Sequence, residues 1–127
     1  MLKKLSRVLV VSCCFISGPA LAMMHSLQPG MSVQYKLPPN DPQVFSNFLF
    51  WQIKAKCTIK TSDDNDPILA EVIKKHGYIN QHELHEHDSF SFDVQNQTIL
   101  EITADSGAKV QLINLGSSTI TADCETT

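Results

Sequence analysis

From Leu49 to Ile59 every second residue is apolar: Leu49, Trp51, Ile53, Ala55, Cys57 and Ile59. Gln52, Lys54, Lys56 and Thr58 stand between them. Side chains of an extended chain alternate between its two faces, so this stretch is expected to be a β-strand with one buried side. Trp51 and Cys57 share that side in such a strand. Phe48 and Phe50 fall on the opposite side, which makes the start of the segment apolar on both. A second layer covering those two rings is the expected arrangement; the alternative is an exposed patch that meets a partner.

Cys57 also constrains the chain through chemistry. The four cysteines are Cys13, Cys14, Cys57 and Cys124, and the first two lie in a segment with the order of a secretory leader. Lys3, Lys4 and Arg7 come first, a short apolar run from Val8 to Ile16 follows, and Ala20-Leu21-Ala22 closes it with small residues a signal peptidase accepts. The run is too short to span a membrane as a helix. Residues 1–22 are therefore expected to be a signal peptide removed on export, giving a periplasmic or secreted protein. Lipid attachment at Cys13 is a weaker match, since too short an apolar run precedes it. In an oxidising compartment Cys57 and Cys124 are expected to form a disulfide. Their wide spacing differs from the Cys-x-x-Cys of redox-active pairs.

Loss of the leader removes Lys3, Lys4 and Arg7 from ten basic residues, and the remainder faces thirteen acids. Such an acidic domain is repelled by phosphate backbones, so nucleic acid is not an expected partner. Residues 23–43 carry Pro29-Gly30, Pro38-Pro39 and Asp41-Pro42, and read as an extended lead-in with at most one strand, Met31–Lys36. Residues 44–127 are expected to form the domain proper. Within it, Ser89–Val94, Thr98–Ala104, Lys109–Leu115 and Thr119–Cys124 read as strands separated by short polar turns. The fold class that follows is all-β: a small antiparallel β-sandwich, immunoglobulin-like or jelly-roll-like, held by one disulfide. One segment is ambiguous. Residues 67–76 can be a short helix capped by Asp66 and stopped by Gly77, or Leu69–Lys75 and Tyr78–Leu84 can form a hairpin turning at His76-Gly77. The Asp63-Asp64-Asn65-Asp66 cluster reads as a turn rather than a calcium loop, because it lacks the glycine and glutamate such a loop needs.

The stretches Trp51–Cys57, Ala108–Gly116 and Ile120–Cys124 together resemble small uncharacterised exported β-proteins of γ-proteobacteria such as Legionella, some of which leave the cell by type II secretion. The resemblance implies a β-sandwich and secretion, and assigns no activity or site.

His82-Glu83-Leu84-His85-Glu86-His87-Asp88 concentrates imidazoles and carboxylates. In an extended strand His85 and His87 point the same way, so with His82 they form a candidate site for Cu, Zn or Ni. Cleavage after Ala22 would place His25 third in the new chain, where the free amine, two amides and the imidazole suit Cu(II) or Ni(II). No nucleophile–base pattern such as Gly-x-Ser-x-Gly or His-Glu-x-x-His is present. The leading expectation is a non-enzymatic binding module for a protein or small molecule, with metal handling by His82, His85, His87 or His25 as the alternative.

Overall fold

The structure, a computed structural model, describes residues 22–127. The leader expected at 1–22, with Cys13, lies outside the described residues except for Ala22. Eleven strands follow: β1 (Met23–Ser26), β2 (Ser32–Leu37), β3 (Gln43–Ser46), β4 (Ile53–Lys60), β5 (Asp66–Lys74), β6 (Gly77–Ile79), β7 (His82–Leu84), β8 (Ser89–Val94), β9 (Ile99–Ala104), β10 (Lys109–Asn114) and β11 (Ile120–Thr126). They form two sheets that do not close into a barrel, and no helix occurs among the described residues. The six-stranded sheet has the order β2-β11-β4-β9-β6-β7 and the five-stranded sheet the order β1-β3-β10-β5-β8. Neighbours are antiparallel except β1 and β3.

The alternation read from the sequence places the core. Ile53, Ala55, Cys57 and Ile59 of β4 are buried, and Leu100, Ile102 and Ala104 of β9 flank them. Ile68, Ala70 and Val72 of β5, with Val110 and Leu112 of β10, supply the facing layer. Cys57 and Cys124 are bonded, and they are directly opposite each other on the paired strands β4 and β11. The bridge thus lies within one sheet, unlike the inter-sheet bridge of antibody domains. It ties the strand nearest the C terminus to the centre of the larger sheet.

Three expectations need correction. Residues 67–76 are not a helix: Asp66–Lys74 is a strand paired on both sides, by β10 and β8. Ile68, Leu69, Val72 and Ile73 looked helical in spacing because a central strand carries apolar residues on both faces. Period two wins here, with Ile68, Ala70 and Val72 fully buried and Leu69 and Ile73 half-buried. Nor does the chain form a hairpin at His76-Gly77. It leaves the smaller sheet there and enters the larger one, where β6 and β7 pair with each other around Asn80-Gln81. The lead-in holds two strands rather than one, since β1 and β2 join opposite sheets.

The third correction concerns Trp51, which is 57% exposed. β4 begins only at Ile53, so the alternation that extends back to Leu49 in the sequence is not a strand there. Leu49 still packs on the core, but Phe48 and Phe50 stand in solvent instead of under a second layer. No helix of the described residues is long and apolar enough to cross a membrane.

Apart from β6–β7, each strand is followed by one in the other sheet. Facing sheets lie about 10 Å apart, a distance that three extended residues just span. The short polar segments are consequently arches across the sandwich, and they crowd its two ends.

Candidate functional site

At one end of the sandwich sit the segment 47–52, the arch Asp105-Ser106-Gly107, the corner Lys75-His76, and His85–Asp88. Asn47 organises them. It is buried, and its side-chain amide donates to the carbonyls of Trp51 (2.8 Å), Ala104 (3.0 Å) and Asp105 (3.1 Å), while its Oδ1 accepts from the Leu49 amide at 2.9 Å. Ser106 adds a bond from its hydroxyl to the Leu49 carbonyl, and the Asn47 backbone exchanges bonds with Gly107 and Ala108. Gly107 has φ +77°, the left-handed region glycine favours. The loop is therefore pinned at both edges and its middle.

This pinning leaves three aromatic rings outside. Phe48 is 65% and Phe50 93% exposed, beside Trp51. Phe48, Leu49 and Trp51 also line a shallow groove of about 380 Å³ whose other wall is Ser26–Pro29. Scattered exposed apolar residues are ordinary, but three large rings within four residues on a hydrogen-bonded loop form a patch.

Next to the aromatic loop lies an imidazole–carboxylate cluster. Gly77 positions it: a Cβ there would come within 2.7 Å of the Thr103 carbonyl, so glycine alone lets β6 lie against β9 at this point. His76, just before it, has Nδ1 2.7 Å from Asp105 Oδ2 and Nε2 2.6 Å from Glu83 Oε2. Both ring nitrogens can donate only in the imidazolium form. The bonded Glu83 and Asp105 carboxylates raise the His76 pKa above the usual imidazole value. Asp105 is shifted down, first by the bond from Gln52 Nε2 to its Oδ1 and also by His76. Asp105 thus joins the aromatic loop, through Gln52, to the histidine corner. The His85 ring lies 5.1 Å from that of His76, with its Nε2 3.9 Å from Glu83 Oε2.

The histidines singled out in the sequence are dispersed. His82 stacks on Phe90 at 4.0 Å, and Phe90 on Phe92 at 5.6 Å, bridging the edge strands β7 and β8 of the two sheets. β7 ends at Leu84, so His85 and His87 are not on one extended strand, and His87 has φ +74°. His87 faces Glu86 at 3.5 Å. His25 packs between Tyr35 and Phe45, each ring 5.0 Å away, and its Nε2 meets Gln43 Oε1 at 2.8 Å. Of the expected four, only His85 joins a group able to share one ion, and its companions are Glu83 and His76. Residue spacing could not reveal His76 or Asp105, because the crossing at His76-Gly77 and the β9–β10 arch bring them together. Asn47 was equally hidden, although an asparagine directly before an apolar run is a turn signal.

Comparison with known proteins found no matching family model, no matching curated protein and no matching solved structure.

Proposed function

We propose that the protein is an exported binding module that grips an apolar surface of a partner macromolecule with the loop 47–52. The observation carrying this reading is the exposure of Phe48, Phe50 and Trp51 on a loop whose backbone is fixed by buried Asn47. A loose loop would lose entropy on binding; a pinned one presents its rings ready-made, and each buried ring contributes about 2 kcal/mol. The leader-like N terminus and the disulfide between Cys57 and Cys124 support a site of action outside the cytoplasm.

Site-specific photo-crosslinking tests the reading in the cell that makes the protein. A photoreactive phenylalanine at position 50 is expected to capture one discrete partner, while the same group at Ser117, at the opposite end, captures none. Excess wild-type protein should compete the adduct away, and a Phe48→Ala/Phe50→Ala variant should not. Equal capture from both positions, or equal competition by the double variant, would overturn the assignment. An adduct to a second copy of the chain would make the loop a self-association surface instead.

A further inference from the structure

We propose that His76, Glu83 and His85 form a binding site for a divalent transition ion, Zn²⁺ foremost, with Asp105 as the residue that orients His76. The site is separate from the aromatic-loop reading and does not depend on it.

Each of the three residues offers one ligand atom, and these atoms lie within 4.8 Å of one another. Two imidazole nitrogens and one carboxylate oxygen are the donors Zn²⁺ takes in three-ligand sites that keep a fourth position for water. With bonds of about 2.0 Å, a tetrahedral ion holds its ligand atoms about 3.3 Å apart. Two of the three separations bracket that value, 2.6 Å from His76 Nε2 to Glu83 Oε2 and 3.9 Å from that oxygen to His85 Nε2, and the two histidines' ligand atoms lie within 4.8 Å. Adjustments of no more than about 1.5 Å suffice, and the exposed Glu83 and His85 side chains are free to make them by torsion.

The supports around the ligands are already in place. Asp105 Oδ2 holds His76 Nδ1 at 2.7 Å, which leaves Nε2, 2.6 Å from Glu83 Oε2, for the ion; the ion takes the place of the proton Nε2 shares with Glu83, and that proton is released to solvent. Carboxylates that hold the far nitrogen of a ligating histidine fix its tautomer and ring plane in this way. Asp105 is itself held by Gln52, and its backbone amide by the His76 carbonyl. His85 is anchored through its main chain: its amide donates to Asp88 Oδ2 at 2.9 Å and its carbonyl accepts from the Asp88 amide at 2.9 Å. Glu83 is set by the β6–β7 pairing, opposite Tyr78. Three different stretches of chain thus converge, with His76 a corner residue rather than part of the histidine-rich segment.

Calorimetric titration of the purified, oxidised, tag-free protein with Zn²⁺, and absorption spectra with Co²⁺, test the site. One ion per chain is expected, with a Kd on the order of micromolar. His76→Ala or His85→Ala should weaken binding at least tenfold, on the order of one ligand lost. Asp105→Asn should weaken it about tenfold while keeping the tetrahedral Co²⁺ spectrum, as a positioning residue would. The double variant His82→Ala/His87→Ala and the variant His25→Ala should leave the titration unchanged. Phe50→Ala should also leave it unchanged, which keeps this test distinct from that of the loop. Absence of binding below about 100 μM, or binding that survives loss of both His76 and His85, would overturn the site. So would binding that vanishes with His82 and His87. If His76→Ala fails to fold, the exposed His85 carries the same test.

Discussion

At one end of the sandwich, buried Asn47 holds a loop that turns aromatic rings toward solvent; at the other, buried Asn114 holds a loop that closes over carboxylates. The two asparagines are used alike. Asn114 donates from its side-chain amide to the carbonyls of Leu37 (2.8 Å) and Ser118 (2.7 Å), and its Oδ1 accepts from the Gly116 amide at 2.8 Å. What they hold differs. Around Asn114 the polar groups engage one another: the Thr61 hydroxyl donates to Asp66 at 2.5 Å, that of Ser118 to Asp63 at 3.2 Å, and the Thr61 amide to Asn96 at 3.1 Å. That end is a closure. Around Asn47 the asparagine's own amide is fully engaged as well, yet Phe48, Phe50 and Trp51 stand exposed. The same asparagine device therefore seals one end and presents a surface at the other, which is why the functional reading belongs to the aromatic end.

Substitutions at each end, and at the bridge between them, test this difference. The largest effect should come from the disulfide, which belongs to neither end. Replacing Cys57 and Cys124 with Ala is expected to lower stability by about 4 kcal/mol, because the bridge closes a long loop in the unfolded chain. Chemical denaturation reads this, and both ends should loosen together. Loss confined to one end would mean the sandwich is not one cooperative unit.

Asn47→Ala and Asn114→Ala come next, each expected to cost about 1–3 kcal/mol by leaving buried carbonyls without a donor. Only the first should alter the emission of Trp51, the single tryptophan in the chain. An equal change in emission from the Asn114 variant would show that the two loops are not independent.

The smallest effect is a pH dependence at the closed end. Burial raises the pKa of Asp66 above the usual carboxyl value, with neighbouring Asp63 adding to the rise. The folded state then binds that proton more tightly than the unfolded chain does. Its contribution is complete below the unfolded pKa of about 3.9 and is lost as pH rises through the folded value. Asp105 and Asp123 are shifted the other way, the latter chiefly by Gln34 and Lys60, so their contributions disappear as pH falls. Asp66→Asn should accordingly raise the melting temperature relative to wild type at neutral pH, with the gain vanishing toward pH 4. A constant difference across that range would show that Asp66 does not titrate differently in the two states.

Much of this architecture is written in local pattern. The alternation from Ile53 to Ile59 fixes which face of β4 is buried, and the polar segments Gln95-Asn96-Gln97 and Asp105-Ser106-Gly107 mark where strands stop. The pairing of Cys57 with Cys124 is equally legible, because they are the two cysteines beyond the leader-like segment. These features depend on a period of two, on turn chemistry and on counting, all of which are properties of the chain alone.

Other features are set by contacts between distant strands. Local pattern sets which side of a strand is apolar, but whether a sheet stands opposite depends on where distant strands lie. Trp51 alternates in register with Ile53 yet stands in solvent, because Asn47 bends the chain toward Ala104 and Asp105 before β4 begins. Ile68 to Ile73 are a strand because β10 and β8 flank them with hydrogen-bonding partners. His76 meets Asp105 and Glu83 only because the chain changes sheets there, bringing groups far apart in sequence within bonding distance. Contacts between sheets arise from how the strands are ordered, and no short window of residues carries that order.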